Sequence, residues 1–345
     1  MGIQKAIRKV SQHEHLTQEE AHAAMGEIMN GTATPAQIGG YLMALRMKGE
    51  TVDEITGSAR AMREAANHAP VKTPNVIDTC GTGGDASNTF NISTTVAFVA
   101  AGGGIPVAKH GNRAASSKSG SADVLAALGV NIGVTPEQAA LCVDEVGIGF
   151  LFAATFHPAM RHAIGPRREL SIRTIFNILG PLTNPAGARR QLMGVFSGSL
   201  TQTLAEVLKE LGSEAVFVVH GAGGLDEMST LGATHVSQLQ DGQVESYKIE
   251  PSKLGLKQVS IDEILGGAPE ENAHLTRELL SGRGTTAQRE IVMLNAAAAF
   301  VVAGVSPNLD DGLHQAAQIL DSGKGLEKLE ALVHYSQQFA PEAKA

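Results

Sequence analysis

The sequence has few aromatic side chains and more acidic than basic residues. Aromatic residues make up 4% of the 345 residues, and tryptophan is absent. Proteins that bind single-stranded nucleic acids commonly stack bases on aromatic side chains, so we expect no base-stacking surface. The formal net charge of −8 also disfavours non-specific binding to nucleic acids. An anionic small molecule would therefore need a local cluster of basic residues.

Cysteine is scarce, with Cys80 and Cys142 as the only two. They could form one disulfide at most, which excludes a disulfide-rich scaffold and favours a reducing compartment. No Cys/His spacing indicates a zinc site. We interpret Cys80 as a small packing residue, because the sequence places no catalytic histidine or asparagine beside it.

The sequence contains no apolar run long enough to span a membrane, and residues 1–9 lack the apolar segment of a signal peptide. We therefore expect a cytoplasmic protein that has no membrane partner. The composition, 43% hydrophobic and 18% charged, is ordinary for a globular protein. The length allows one large domain and a smaller one.

The pattern of apolar residues changes near Val71. Before it only helices are predicted, and Thr17 with Glu20 forms a capping box at the start of one of them. The helix over residues 36–48 has an apolar face that a small domain would cover only in part, which favours a homodimer through this region. After Val71 strands and helices alternate, which predicts a mostly parallel sheet flanked by helices.

Residues 76–85, VIDTCGTGGD, begin as a buried β-branched strand and continue into a loop with three glycines. Glycines let backbone N–H groups approach a ligand, and the positive end of the helix that follows faces the same place. We therefore predict a phosphate site. The loop is neither a Walker A loop nor G-x-G-x-x-G, so a ligand-free turn is the alternative. Asn91, Ser93 and Thr94 begin the helix, where N-capping by Asn91 or Ser93 is the simplest interpretation.

Residues 109–121, KHGNRAASSKSGS, combine two lysines, an arginine and a histidine with four serines. A solvated basic loop is the usual interpretation of such a charge cluster. Here a buried strand precedes the segment and a helix follows it, so we favour phosphate or pyrophosphate binding. The carboxyl ends of parallel strands meet at one edge of a sheet, which would bring this segment close to residues 76–85.

Asp226 and Glu227 follow a third strand and a glycine-rich turn. In a loop, both carboxylates can reach one cation, and Mg²⁺ prefers a few carboxylates together with substrate phosphates. The alternative is an exposed acidic turn. Opposite a phosphate loop, we favour the magnesium site.

Residues 78–85, 109–113 and 120–123 together resemble the anthranilate phosphoribosyltransferase family. Residues 173–185, with RTIFN and GPLTNP, and residues 225–227, LDE, resemble the same family. The resemblance covers almost the whole chain in the correct order, and only the C-terminal third carries few family signatures. It implies an α/β fold with a large domain, residues 72–164 and 191–345, and a small discontinuous helical domain. The small domain would comprise residues 1–71 and a returning segment near residues 165–190.

The resemblance also implies the reaction and its partners. Anthranilate and 5-phosphoribosyl 1-pyrophosphate would be joined in a homodimer that holds about two Mg²⁺ ions per subunit, as a step of tryptophan biosynthesis. It assigns phosphoribosyl pyrophosphate to Gly81, Gly84, Asp85, Thr89, Asn91, Ile92, Ser93, Thr94, Lys109, His110, Gly111, Asn112, Arg113, Ala114, Ala115, Ser116, Ser117 and Ser121. It assigns anthranilate to Gly81, Asn112 and Arg167, and Mg²⁺ to Ser93, Asp226 and Glu227.

The implied mechanism is electrostatic and positional, with no catalytic acid or base. Arg167 could bind a substrate carboxylate through two parallel hydrogen bonds; its alternative role is a surface ion pair with Glu169. A pyrimidine nucleoside phosphorylase is the alternative enzyme, although it does not need paired carboxylates for Mg²⁺. A non-catalytic nucleotide-binding regulator is the alternative from another class, and the three intact ligand clusters argue against it.

Overall fold

The computed structural model describes residues 2–85, 87–114 and 118–340. Its first four helices form a bundle, as the sequence predicts: α1 (Ile3–Ser11), α2 (Gln18–Met29), α3 (Pro35–Lys48) and α4 (Val52–Glu64). Helices α2, α3 and α4 begin with complete capping boxes, in which a threonine side chain accepts a hydrogen bond from the third helical residue. The helical N-terminal region is therefore confirmed.

The apolar face of α3 is covered within the chain, contrary to the expectation from its sequence. Ile38, Tyr41, Leu42 and Leu45 are all buried. Helix α1 and, from a later part of the chain, the helix Arg161–Leu170 pack against α3 and cover this face. The buried residues of α3 therefore give no support to a dimer interface.

The rest of the chain builds one seven-stranded sheet, which confirms the predicted α/β class. The strands are β1 (Ile77–Gly81), β2 (Val107–Gly111), β3 (Ile148–Phe152), β4 (Arg190–Gly194), β5 (Ala215–Gly221), β6 (Thr234–Gln240) and β7 (Gln243–Ile249). Their order is β3-β2-β1-β4-β5-β6-β7. All pairs from β3 to β5 are parallel, and β6 and β7 extend the sheet as an antiparallel hairpin.

Most of the remaining helices lie around this sheet. The remaining helices are α5 (Ile92–Gly102), α6 (Ser121–Ala127), α7 (Pro136–Leu141), α8 (Ala153–Phe156), α9 (Arg161–Leu170), α10 (Phe176–Leu179), α11 (Thr201–Glu210), α12 (Pro269–Leu280), α13 (Thr286–Ala303), α14 (Leu309–Ser322) and α15 (Lys324–Gln337). Of these, α9 and α10 contact the N-terminal bundle. Helix α5 is almost wholly buried and packs against α13 and α15. Across the described ranges, no helix combines the length and the apolar character that a membrane span requires.

The strand order predicts a crevice beyond the carboxyl ends of the neighbouring strands β1 and β4. The chain runs from β1 outward through β2 to β3, and then returns to the other side of β1 as β4. In open parallel sheets, ligands bind at such a point of reversal, outside the carboxyl ends of the strands. The glycine loop after β1, the basic segment after β2 and the acidic loop after β5 all leave this edge of the sheet.

The segment after α9 contacts both the bundle and the sheet. The guanidinium of Arg63 on α4 donates a hydrogen bond of 2.7 Å to the carbonyl oxygen of Leu182. Two residues later, the buried Asn184 donates through Nδ2 to Asp78 Oδ2 on β1, at 2.8 Å. The segment therefore connects the bundle to the sheet, while the boundary between the two domains near residue 71 stays a prediction.

Candidate active site

The glycine loop after β1 approaches the acidic loop after β5 directly. Gly83 and Gly84 both have positive φ, at 64° and 72°, a conformation that favours glycine. A Cβ at Gly81 would lie 2.5 Å from Asp226 Oδ2, and one at Gly194 would lie 1.5 Å from the Asp226 carbonyl oxygen. Only glycine at these two strand ends allows Asp226 to lie against the edge of the sheet.

The N-terminus of α5 faces the same crevice, but its cap differs from the sequence-based expectation. Asn91 occupies the N-cap position and makes no side-chain capping hydrogen bond. The backbone N–H of Ser93 instead donates to Glu227 Oε1 at 3.2 Å. Of the two expected caps, Asn91 or Ser93, Asn91 occupies the N-cap position, but its amide is engaged by Ser119 and Asn272 and does not cap the helix.

Lys109 lies in the middle of β2 and is 3% exposed, so for this residue a solvated basic loop is excluded. Its Nζ donates to the carbonyl oxygen of Thr79 and lies 3.4 Å from Ser93 Oγ. Burial lowers the pKa of Lys109, and the carboxylate of Asp78 opposes this effect most strongly. The lysine thus brings a cationic group into the crevice between the glycine loop and α5.

Asp226 and Glu227 are partly buried, which corrects the alternative of an exposed acidic turn. Burial, followed by the charge of Asp85, raises the pKa of Asp226 to about 7. Burial, followed by the charge of Asp226, raises the pKa of Glu227 well above its ordinary value. Crowded carboxylates of this kind are stabilised by a cation.

The donors at this place fit Mg²⁺. The two carboxylates lie beside the start of α5, and Ser93 adds a hydroxyl oxygen. Within the described ranges, no group of three or more His, Cys, Asp or Glu side chains has the arrangement of a metal site. A small number of protein ligands suits Mg²⁺, which keeps several waters and binds substrate phosphates.

These elements line one cleft of about 400 Å³, within the range of small-molecule sites. The wall includes every predicted site residue that the structure describes: Gly81, Gly84, Asp85, Thr89, Asn91, Ile92, Ser93, Thr94, Lys109, His110, Gly111, Asn112, Arg113, Ala114, Ser121, Arg167, Asp226 and Glu227. The predicted residues Ala115, Ser116 and Ser117 lie outside the described residues. The geometry brings the predicted residues together, and their individual roles stay predictions.

The cleft also contains residues that the sequence reasoning does not single out. Phe176 and Asn177, at the start of α10, line it. The guanidinium carbon of Arg167 lies 5.2 Å from the centre of the Phe176 ring. None of the ion pairs between described residues joins Arg167 to Glu169. The motif RTIFN contains both missed residues and is the signal that could have identified them.

Two histidines lie next to each other, and one of them, His110, lines the cleft. The rings of His110 and His157 are 5.0 Å apart, and both residues are buried. Burial lowers the pKa of His110 to about 3 and that of His157 to about 4. Both rings are therefore neutral at physiological pH and add no positive charge to the cleft.

Comparison with known families places this arrangement in a defined class. Residues 4–66 match the helical bundle domain of a glycosyl transferase family, and residues 73–326 match the a/b domain of the glycosyl transferase family. The chain is 55% identical over 331 residues to the anthranilate phosphoribosyltransferase of Anaeromyxobacter sp. (strain K), covering 96% of this chain and 98% of the relative. It is 50% identical over 337 residues to the anthranilate phosphoribosyltransferase of Acetivibrio thermocellus, and this match covers 98% of this chain and 97% of the relative.

Solved structures agree with these sequence matches. Anthranilate phosphoribosyltransferase from Thermus thermophilus superposes with a TM-score of 0.92 at 45% identity, covering 96% of this chain and 99% of that one. The anthranilate phosphoribosyltransferase of Saccharomyces cerevisiae, solved in complex with PRPP and Mg, superposes with a TM-score of 0.89 at 28% identity, and the match covers 98% of each chain. The chain therefore belongs to this glycosyl transferase family and, within it, to the anthranilate phosphoribosyltransferases.

Proposed function

We propose that the cleft transfers the 5-phosphoribosyl group of 5-phosphoribosyl 1-pyrophosphate to the amine of anthranilate. The products are N-(5-phosphoribosyl)anthranilate and pyrophosphate, and the reaction is a step of tryptophan biosynthesis. The observation that carries the proposal is the convergence of the glycine loop, Lys109 and the two acidic residues on one cleft. Each of these elements suits a different part of a phosphorylated, magnesium-bound substrate.

The phosphate-binding side of the cleft would be formed by residues 81–85, 87–94, 109–114 and 119–121. Backbone N–H groups of the glycine loop and the positive end of α5 would face phosphate oxygens. Lys109 adds a buried cation at 3.4 Å from Ser93 Oγ. Because the chain as a whole is negative, these local groups are needed to attract an anionic substrate.

Mg²⁺ would be held by Ser93, Asp226 and Glu227, with about two ions in each subunit. Bound there with the substrate, it would neutralise the charge that develops on departing pyrophosphate. Asp226 and Glu227 carry raised pKa values because of their burial and crowding. Replacing protons by a divalent cation would relieve this repulsion, which supports the assignment.

Anthranilate would bind near Arg167, Asn112 and the backbone of Gly81. A guanidinium can hold a carboxylate with two parallel hydrogen bonds, and Arg167 on α9 lines the same cleft as the phosphate-binding loops. Phe176 offers an apolar ring beside that guanidinium. This arrangement would hold the amine toward the ribosyl carbon.

The chain's own residues would then act by position and charge. The aryl amine is uncharged at neutral pH, so it needs no strong base before it attacks the ribosyl carbon from the face opposite pyrophosphate. Inversion at that carbon is therefore expected, and the strongly acidic arylammonium formed by the attack then loses its proton to water. Lys109 and the N–H groups would stabilise the leaving group, and alignment of the two substrates would supply much of the rate.

The direct test identifies the products. Purified protein would be incubated with anthranilate, 5-phosphoribosyl 1-pyrophosphate and Mg²⁺, and the mixture analysed by mass spectrometry and a pyrophosphate assay. We expect equal amounts of phosphoribosyl anthranilate and pyrophosphate. The alternative, a pyrimidine nucleoside phosphorylase, would instead use inorganic phosphate to cleave a pyrimidine nucleoside, and it would release the free base. The acidic pair Asp226 and Glu227 argues against that alternative.

We also propose that the small helical domain comprises residues 1–71 and a returning segment near residues 165–190, and that it forms a homodimer interface. Met47 on α3 and Ile164 on α9 are 73% and 55% exposed. Helices α3 and α9 pack against each other, so both exposed apolar side chains belong to the same part of the fold. Covering them in a symmetric contact would remove apolar surface from water.

A further inference from the structure

A buried asparagine in the C-terminal part of the chain contacts the phosphate-binding side of the cleft from behind. Asn272 lies in the first turn of α12, is 2% exposed and does not line the cleft. Its Nδ2 donates a hydrogen bond of 2.9 Å to Asn91 Oδ1. The two residues are 181 positions apart in the sequence, so only the fold brings them together.

This contact fixes the orientation of the Asn91 amide. Asn91 Oδ1 accepts a second hydrogen bond, of 3.1 Å, from Ser119 Oγ. Asn91 Nδ2 donates to the carbonyl oxygen of Ser119, also at 3.1 Å. If the amide were reversed, its NH₂ group would face the Asn272 donor and its oxygen would face the Ser119 carbonyl. Asn272 therefore selects the orientation in which Asn91 binds Ser119 twice.

Ser119 belongs to the basic segment after β2, and Asn91 belongs to the start of α5. Both residues line the cleft. Their double contact joins the two structures that would surround the phosphates of the substrate, and Asn272 is the buried group that holds this contact in place. We propose that Asn272 is a positioning residue for 5-phosphoribosyl 1-pyrophosphate. The inference rests on the proposed function, since it names a residue that supports the same site.

A purely structural role for Asn272 can be separated from its proposed role in positioning the substrate-binding residues. Its Oδ1 accepts a hydrogen bond of 2.8 Å from the backbone N–H of Gly267, which holds the turn before α12. The substitution Asn272→Asp retains an oxygen for Gly267 but replaces the donor that faces Asn91 with a second acceptor. It therefore breaks the contact with Asn91 while leaving the turn its hydrogen bond.

Thr276 provides a matched control on the same helix. It lies one turn beyond Asn272, is fully buried and places its Oγ1 3.2 Å from Thr95 Oγ1 on α5. Neither Thr276 nor Thr95 lines the cleft. Thr276→Val removes a buried hydroxyl from the same interface between α12 and α5, so it tests whether any disturbance of that interface impairs substrate binding.

The experiment measures kcat, both KM values and the melting temperature of the wild type, N272D and T276V. For N272D we expect the KM for 5-phosphoribosyl 1-pyrophosphate to rise by about ten-fold, as the loss of a buried hydrogen bond predicts. The KM for anthranilate should change by less than about two-fold, since the described hydrogen bonds of Asn272 do not lead to Arg167. T276V should retain both wild-type KM values even if it melts earlier.

Two further variants complete the test. Asn272→Ala removes both the donor to Asn91 and the acceptor of Gly267 without adding a charge. It should reproduce the selective rise in the KM for 5-phosphoribosyl 1-pyrophosphate even where N272D folds poorly. In an Asn91→Ala background, N272D should have no additional effect on KM, because Asn272 acts through Asn91. Equal rises in both KM values, a wild-type KM in N272D and N272A, or the same loss in T276V would overturn the inference. Absence of turnover by the wild type would instead overturn the proposed function.

Discussion

The backbone N–H of Gly83 donates a hydrogen bond of 2.8 Å to Asp226 Oδ2. This contact joins the glycine loop after β1 to the acidic loop after β5, although 143 positions separate the two residues. The loops that would hold the phosphates and the metal are thus in contact in the protein itself. A metal bound by Asp226 would therefore lie beside the N–H groups of the glycine loop.

Removing the acidic pair should abolish turnover without unfolding the chain. In the double variant Asp226→Asn/Glu227→Gln, both side chains keep an oxygen that can accept from Gly83 and Ser93, but the negative charge for Mg²⁺ is lost. We expect activity below about 1% of the wild type, because stabilisation of the leaving group is a large part of catalysis. Circular dichroism checks that the variant is folded, and a steady-state assay measures its activity.

Asp241, an exposed acid in the β6–β7 turn, provides the control for this double variant. Asp241→Asn removes a negative charge far from the cleft wall and should leave activity unchanged. Substantial turnover by the double variant, or by the wild type in excess chelator, would contradict the magnesium assignment.

The raised pKa of Asp226 predicts a specific effect of pH on stability in the absence of metal. Its folded-state pKa of about 7 exceeds its ordinary value of 3.8, so between these values the folded chain binds a proton that the unfolded chain has lost. The contribution of Asp226 to the free energy of unfolding therefore decreases as pH rises through this window. Above the window, the ionised group is destabilising.

Urea denaturation of the wild type and Asp226→Asn at about pH 4.5 and about pH 8 measures this contribution by difference. The variant cannot ionise at this position, so its stability relative to the wild type should increase from the lower to the higher pH. Adding Mg²⁺ with pyrophosphate at the higher pH should favour the wild type instead. A stability difference that is independent of pH would show that Asp226 is not held in a charge-disfavouring environment.

Arg167→Lys tests the anthranilate site. A lysine cannot reproduce the two parallel hydrogen bonds of a guanidinium, and losing one charged contact costs about 1.5–3 kcal/mol, or roughly ten- to a hundred-fold. The KM for anthranilate should rise by that factor, while the KM for 5-phosphoribosyl 1-pyrophosphate should hardly change. Arg168→Lys, on the same helix with an exposed side chain, is the control. Equal changes in both constants would refute the assignment.

The exposed apolar side chains of α3 and α9 predict the oligomeric state. Sedimentation at micromolar concentration should give the mass of a dimer for the wild type. Met47→Lys with Ile164→Lys places two like charges in the proposed interface and should shift the population to monomers. Val305→Lys, at another apolar position that is 51% exposed, should leave the mass unchanged. A monomeric wild type would contradict the proposal.

Local patterns are sufficient to predict most of the elements that form the cleft. The sequence around Asp78 predicts a strand, a glycine loop and a helix. Its β-branched residues favour a strand, and its glycines favour a tight loop. The parallel sheet then follows from the alternation of strands and helices, and it places the loops at one edge.

Tertiary partners explain what the sequence does not reveal. Its pattern predicts that Asn91 or Ser93 caps α5, but Ser119 and Asn272 bind the amide of Asn91 and determine its orientation. Asn272 itself lies in an ordinary helix, where no spacing or composition connects it to a residue 181 positions earlier. The coverage of α3 by α9 escapes prediction for the same reason, since packing between distant segments leaves no local pattern.

The fluorescence of anthranilate tests the central claim most directly. The wild type would be mixed with anthranilate, and the signal followed while 5-phosphoribosyl 1-pyrophosphate and Mg²⁺ are added separately and then together. We expect a loss of anthranilate fluorescence only when both are present, and no loss with Asp226→Asn/Glu227→Gln. A stable signal from the folded wild type with both components present would contradict the assignment of this cleft to phosphoribosyl transfer.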